Sequence, residues 1–250
     1  LTPPLKTLEG GLFVEDEWTI NARLSMRGGL HLSGYLVEGK TFAALQPRFS
    51  IRAIGLQGVA YKLSFATMQQ HLHLLTTDNG GFPADLWLPA TEQVKPQRGW
   101  VVAAQIARTF KGLELTVEPY FRVIKNPIAY REGKSILNPS DWQDKVVQGQ
   151  GRMYGAEFLL RKKAGKLAGW ISYTLSWSNR QFDKLNNGNW YPYTYDRRHN
   201  LSVVGNYHLG NHWRLSSNWV YYTGQAYTAP THFFISPPAI YSAGSSSKPG

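Results

Sequence analysis

Polar and apolar residues alternate one by one over much of this chain. Ile171, Tyr173, Leu175 and Trp177 fall on one side, and Ser172, Thr174, Ser176 and Ser178 on the other. Successive side chains of an extended strand point to opposite faces, so this stretch predicts a strand with one apolar and one wet face. The pattern recurs where Leu113, Leu115, Val117, Pro119, Phe121 and Val123 alternate with Glu114, Thr116, Glu118, Tyr120 and Arg122. It appears again around Leu24–Leu32, Phe49–Ala53 and Val59–Phe65. Ten strands are predicted: 12–20, 23–32, 46–55, 58–67, 100–110, 113–124, 152–162, 167–178, 200–209 and 212–223.

The spacing of these strands carries more than the alternation. Most run 9–12 residues, near the length a tilted strand needs to cross a bilayer, whereas soluble strands usually have about five or six. Short turns are expected at Asn21-Ala22, Leu56-Gln57, Lys111-Gly112, Lys163 to Lys166 and Gly210-Asn211. They alternate with long connections at 33–45, 68–99, 125–151 and 179–199. Short turns at one end and long loops at the other are the layout of outer-membrane barrels. The fold class expected is therefore all-β, an antiparallel up-and-down transmembrane β-barrel portion. Strand 12–20 then runs inward, and both chain ends lie on the extracellular side. Alternation alone also fits a soluble sandwich, which such long loops disfavour.

Composition sharpens this picture. The 250 residues include 9 Trp and 14 Tyr, residues that favour membrane–water interfaces because an apolar ring carries one polar atom. Trp18 and Trp213 flank short turns, while Trp100, Trp177, Trp219, Tyr221 and Tyr222 sit near loop ends, as two aromatic girdles require. No stretch reaches the roughly 18 apolar residues of a membrane helix. The chain has no cysteine, which removes disulfides and thiol chemistry. Formal net charge is +11, but the 27 Lys and Arg are spread along the chain, the longest clusters being only Arg161-Lys162-Lys163 and Arg197-Arg198. A nucleic-acid binder concentrates them on one patch, so no nucleic-acid partner is expected.

Several segments resemble a known family. The stretches GRMYGAEFLLRKKAGKLAGWISYTLSWSNRQF (151–182), NNGNWYPYTYDRRHNLSVVGNYHL (186–209) and HWRLSSNWVYYTGQAYTAP (212–230) resemble the C-terminal barrel of TonB-dependent outer-membrane receptors. QPRFSIR (46–52) and PADLWLPATEQVKPQRG (83–99) fit the subgroup with a carboxypeptidase-regulatory-like N-terminal domain. The resemblance implies a barrel of about 22 strands, a plug domain inside it, and nutrient uptake powered by the TonB complex. It implies location in the Gram-negative outer membrane. Residues 1–250 are expected to be a partial barrel domain, with plug, TonB-binding segment and terminal strands absent, and the tail from Phe233 shows no terminal aromatic strand. The partners expected are outer-membrane lipid, the plug, the TonB complex and an unidentified nutrient.

Candidate chemistry is sparse. No G-x-S-x-G elbow, phosphate loop or HExxH occurs, so no enzyme, cofactor or metal site is expected. His71 and His73 form an i, i+2 pair, but a third metal ligand is not evident. Glu114 and Glu118 are too far apart for a glycosidase pair and fit a charge ladder with Arg122. Arg23, Arg27, Arg48, Arg52, Lys62, Glu114, Glu118, Arg122 and Glu157 fall on the polar faces of the strands, as charges lining a barrel interior would. On the YGAE strand Tyr154 should face lipid, and Gly155 should leave room on the lumen side for the plug or for neighbouring side chains. Asp196 is expected to pair with an Arg of its DRRH run. Trp190, Tyr191, Tyr193 and Tyr195, in the loop 179–195, are the ligand-binding candidates. A passive porin or adhesion barrel, and a soluble carbohydrate-binding sandwich, are the alternative readings.

Overall fold

A computed structural model describes residues 6–75, 86–131, 139–210 and 212–226, without the side chains of 139–141. The expectations about the tail from Phe233 and about Asn211 lie outside the described residues. The strands are β1 (Thr7–Asn21), β2 (Leu24–Val37), β3 (Lys40–Ile54), β4 (Ala60–Gln70), β5 (Leu72–Leu75), β6 (Leu86–Pro89), β7 (Gln97–Phe110), β8 (Leu113–Tyr130), β9 (Val146–Lys162), β10 (Leu167–Gln181), β11 (Tyr191–Pro192), β12 (His199–Leu209) and β13 (Trp213–Tyr222). One antiparallel sheet runs in the order β1-β2-β3-β4-β7-β8-β9-β10-β12-β13, with β11 appended to β10; β5 and β6 pair separately. All ten expected strands are present in the expected up-and-down order. The fold is all-β, of the barrel-wall type.

Sequence register makes the sheet two-faced. Trp177 lies opposite Tyr154, Tyr154 opposite Phe121, and Phe121 opposite Val102. The same face carries Leu12, Val14, Leu32, Leu63, Ile106, Leu115, Ile171, Val203, Leu215 and Trp219, because each strand keeps its phase with the next. Many of these residues are exposed, Leu12 at 75% and Leu215 at 61%. In water such an apolar sheet face would be a large liability; in hydrocarbon it is a requirement. A row of rings crosses it near the loop end: Trp100–Phe121 at 5.6 Å, Phe121–Tyr154 at 6.4 Å and Tyr154–Trp177 at 5.3 Å between centroids. Asp16 is an exception, a carboxylate on the apolar side of edge strand β1.

Two expectations need correction. The connection 33–45 is not a long loop. β2 and β3 continue through it and close with a two-residue turn, Val37 pairing with Lys40. Glu38 and Gly39 both take positive φ, 46° and 77°, as a tight hairpin turn twisted to match its strands demands. Second, the other long connections begin later than expected, since β4, β8 and β10 run on to Gln70, Tyr130 and Gln181. β3 parts from β4 beyond the Arg48–Ala66 pair. Gly55 N–H donates to Val59 and Ile54 N–H to Arg23, so odd-numbered residues of β3 face β4. Pro47 is next in that series and has no N–H to give.

The long connections pack against the loop ends of the strands. Leu75, Leu88 and Val94 pack with Ile128 and Val146, supported by Tyr130 and Trp142. Tyr35 and Val37 of β2 are buried against Ala90. His71 anchors this cover: its ring stacks on Tyr35 at 4.5 Å, and its Nδ1 donates to Glu9 at 3.0 Å.

Candidate functional site

Across the middle of the polar face runs one row of register partners: Ser25, Arg52, Lys62, Gln105, Glu118, Glu157, Thr174 and Asn200. Two cations, Arg52 and Lys62, stand directly opposite one another, and so do two carboxylates, Glu118 and Glu157. Gln105 lies between the pairs and donates to Glu118 at 2.7 Å. Like charges opposite each other destabilise a sheet by a few tenths of a kcal/mol or more. The row is therefore unsatisfied by the wall itself.

The remaining predicted charges divide. Arg27 pairs with Glu15 and Glu17 of β1. Glu114 accepts Arg161 through both oxygens, at 2.9 and 2.8 Å, and Lys163 at 2.9 Å, so its partner is across the ladder and not Arg122. Arg48, Arg52, Lys62 and Arg122 form no ion pair among the described residues. Arg23 falls in the β1–β2 turn, one residue short of the strand. The uncompensated positive charge is thus gathered chiefly on β3 and β4.

Above this row, at the loop end, a cleft of about 250 Å³ is lined by Gln70, Trp87, Gln97, Arg180, Phe182, Tyr191 and Tyr193, among others. β11 pairs with the end of β10, setting Tyr191 opposite Arg180, and Tyr193 N–H donates to Ser178. The Arg180 guanidinium lies 4.4 Å from the Tyr193 ring centroid. Arg180 is only 8% exposed, and its Nε and Nη1 have no hydrogen-bond partner among the described residues. Its place is made by Gly151, where an added Cβ would come 3.0 Å from Nη1.

The four aromatic candidates do not all line one cleft. Tyr191 and Tyr193 line the cleft. Trp190 stacks instead on Arg152, at 4.4 Å, and Tyr195 meets Tyr193 edge-on at 5.5 Å while 40% exposed. Arg180, Trp87 and Phe182 were absent from the sequence candidates. Arg180 continues the polar series Ser172, Thr174, Ser176, Ser178, so the same alternation, followed two residues further, points to it.

Asp196 holds the loop: its carboxylate accepts Ser178 N–H at 2.7 Å and Arg198 at 3.0 Å. The pairing partner in the DRRH run is Arg198; Arg197 stacks on Tyr222. His73 is buried, and its Nε2 donates to the Lys95 carbonyl at 3.1 Å. Burial pushes its pKa down to about 4, against the opposing pull of that hydrogen bond. His71 docks the cover on the wall, whereas His73 ties β5 to the segment that leads into β7. A second recess, of about 520 Å³, occupies the gap where β3 and β4 part, beside Pro47, Gln69, Arg98 and Trp100.

No protein-family model matches the sequence, and no curated protein matches it. Among solved structures, the fold is similar to the FrpB iron transporter from Neisseria meningitidis (F3-3 variant), with a TM-score of 0.61 and 13% identity. The alignment covers 86% of this chain and 32% of that one, so the chain spans about a third of that transporter's length. At this identity the likeness establishes the fold, a stretch of β-barrel wall.

Proposed function

We propose that this chain is part of the wall of an outer-membrane transporter barrel, acting in nutrient uptake of the TonB-dependent kind. One observation carries the reading. A continuous apolar face with an aromatic row backs a polar face whose like-charged pairs, Arg52/Lys62 and Glu118/Glu157, need neutralising from inside. Bulk water in a wide pore would screen such pairs, but a folded domain seated in the barrel would pair them. The edges of β1 and β13, unpaired among the described residues, support a larger barrel, since hydrocarbon does not tolerate open edges. The likeness to an iron transporter and the resemblance to TonB-dependent receptors agree with this. The partners are then a plug domain, the TonB complex and a scarce nutrient.

The passive porin reading differs in one measurable property. In planar bilayers the complete protein should show no steady open-channel conductance, and a cysteine at position 62 or 118 should cross-link to a globular domain inside the barrel. Large stable conductance without such a cross-link would establish the porin instead.

A further inference from the structure

We infer that the cleft at Arg180 is a seat for a small oxyanion carrying a flat apolar ring, such as an aryl carboxylate. The inference rests on the reading of the polar face as a barrel interior. Arg180 lies nine-tenths buried with Tyr193 against its guanidinium, yet Nε and Nη1 have no hydrogen-bond partner among the described residues, and buried donors left without an acceptor are costly. A guanidinium is a charged donor suited to the oxygens of a carboxylate or phosphate. No acidic side chain lines the cleft among the described residues. Trp87, Phe182, Tyr191 and Tyr193 supply ring faces and edges on the remaining walls, which favours a planar apolar body beside the charge. Gln70 and Gln97 add amides that can accept or donate to ring substituents. At about 250 Å³ the cleft is smaller than the 300–1,000 Å³ or so typical of drug-sized ligands. It therefore holds a single ring with its acid group, either as a free solute or as the exposed end of a larger carrier.

The test uses 4-fluorobenzoate and its neutral isostere 4-fluorobenzamide with the full chain in detergent micelles, followed by fluorine NMR. The seat predicts saturable binding of the benzoate and at least tenfold weaker binding of the amide. Arg180→Gln should weaken the benzoate at least tenfold, while Arg122→Gln, lower on the same face, should leave it unchanged. Arg180→Lys keeps the charge without the guanidinium and should lie between. It also serves if the glutamine variant fails to fold by circular dichroism. Displacement by inorganic phosphate marks a seat for oxyanions in general; its failure narrows the seat to carboxylates. Equal binding of acid and amide, or loss through Arg122 instead of Arg180, overturns the inference. A chain that inserts into outer membranes without binding the benzoate loses the seat alone. One that binds it through Arg180 but does not insert loses the transporter reading alone.

Discussion

Glu118 on β8 and Glu157 on β9 stand directly opposite one another on the polar face, with Gln105 donating to the first. Among the described residues no cation forms an ion pair with Glu157, so removing one charge relieves repulsion. Glu157→Gln is expected to raise stability by about 0.2–1 kcal/mol in guanidinium unfolding of the chain in detergent. A loss of stability instead would mean that Glu157 already has a cationic partner.

Gly155 shows how closely the strands approach. A Cβ there would lie 2.3 Å from the Leu175 carbonyl oxygen and 3.0 Å from the Ser176 Cα. The space serves the backbone of β10 and a neighbouring side chain, the second of the two uses expected for it. Tyr120, opposite Gly155, reaches across it to hydrogen-bond Ser176. Gly155→Ala should destabilise by about 1–3 kcal/mol, as overpacking does. Gly205→Ala, with nothing within 4 Å, should change stability by less than about 0.5 kcal/mol. Matching unfolding midpoints for the two variants would contradict the register.

The two faces of β10 predict unequal responses to charge. Ile171 is on the apolar side and Ser172 on the polar side of adjacent positions near mid-span. Ile171→Arg should cost about 2–4 kcal/mol of folding free energy in lipid, and Ser172→Arg much less. Equal losses in vesicle refolding would undo the assignment of faces.

Docking of the loops should depend on pH through His73. Its folded pKa of about 4 lies below the ordinary 6.5, so the folded state binds fewer protons than the released one between those values. Its contribution is fully present above pH 6.5, declines as pH falls toward 4, and is lost below it. The span corresponds to about 3 kcal/mol. His71, in the same cover and bonded to Glu9, acts in the same direction on the His73 pKa. Protease cleavage within the loop cover should rise between pH 7 and pH 5, and His73→Phe should flatten that dependence. An unchanged pH profile in the variant would show that other groups control docking.

Much of this architecture was legible because a two-faced sheet enforces strict alternation. Wherever both faces of a strand kept to it, as in 113–123 and 171–177, the strand and its two faces followed. The β2–β3 extension was hidden because Tyr35, Val37 and Phe42 are apolar residues on the polar face. They face the loop cover instead of water, so the alternation breaks, and the Glu38-Gly39 turn is a weaker signal than Asn-Gly. The charged row was readable strand by strand, but its like-charged pairs depend on register, which only the assembled ladder supplies. Arg180 lay within reach of the pattern, whereas Trp87 joins it from nearly a hundred residues away and leaves no local trace.

The most direct measurement of the account is a cysteine scan of β10, which a chain with no native cysteine allows without background. Single cysteines at 171 through 177 would be placed in the complete protein in native outer membranes and treated with a water-soluble maleimide and, separately, a lipid-soluble one. The account predicts strict alternation: 171, 173, 175 and 177 reached from lipid, and 172, 174 and 176 protected from it. Uniform labelling by the water-soluble reagent, or the same reactivity on both faces, would contradict a membrane-spanning barrel wall.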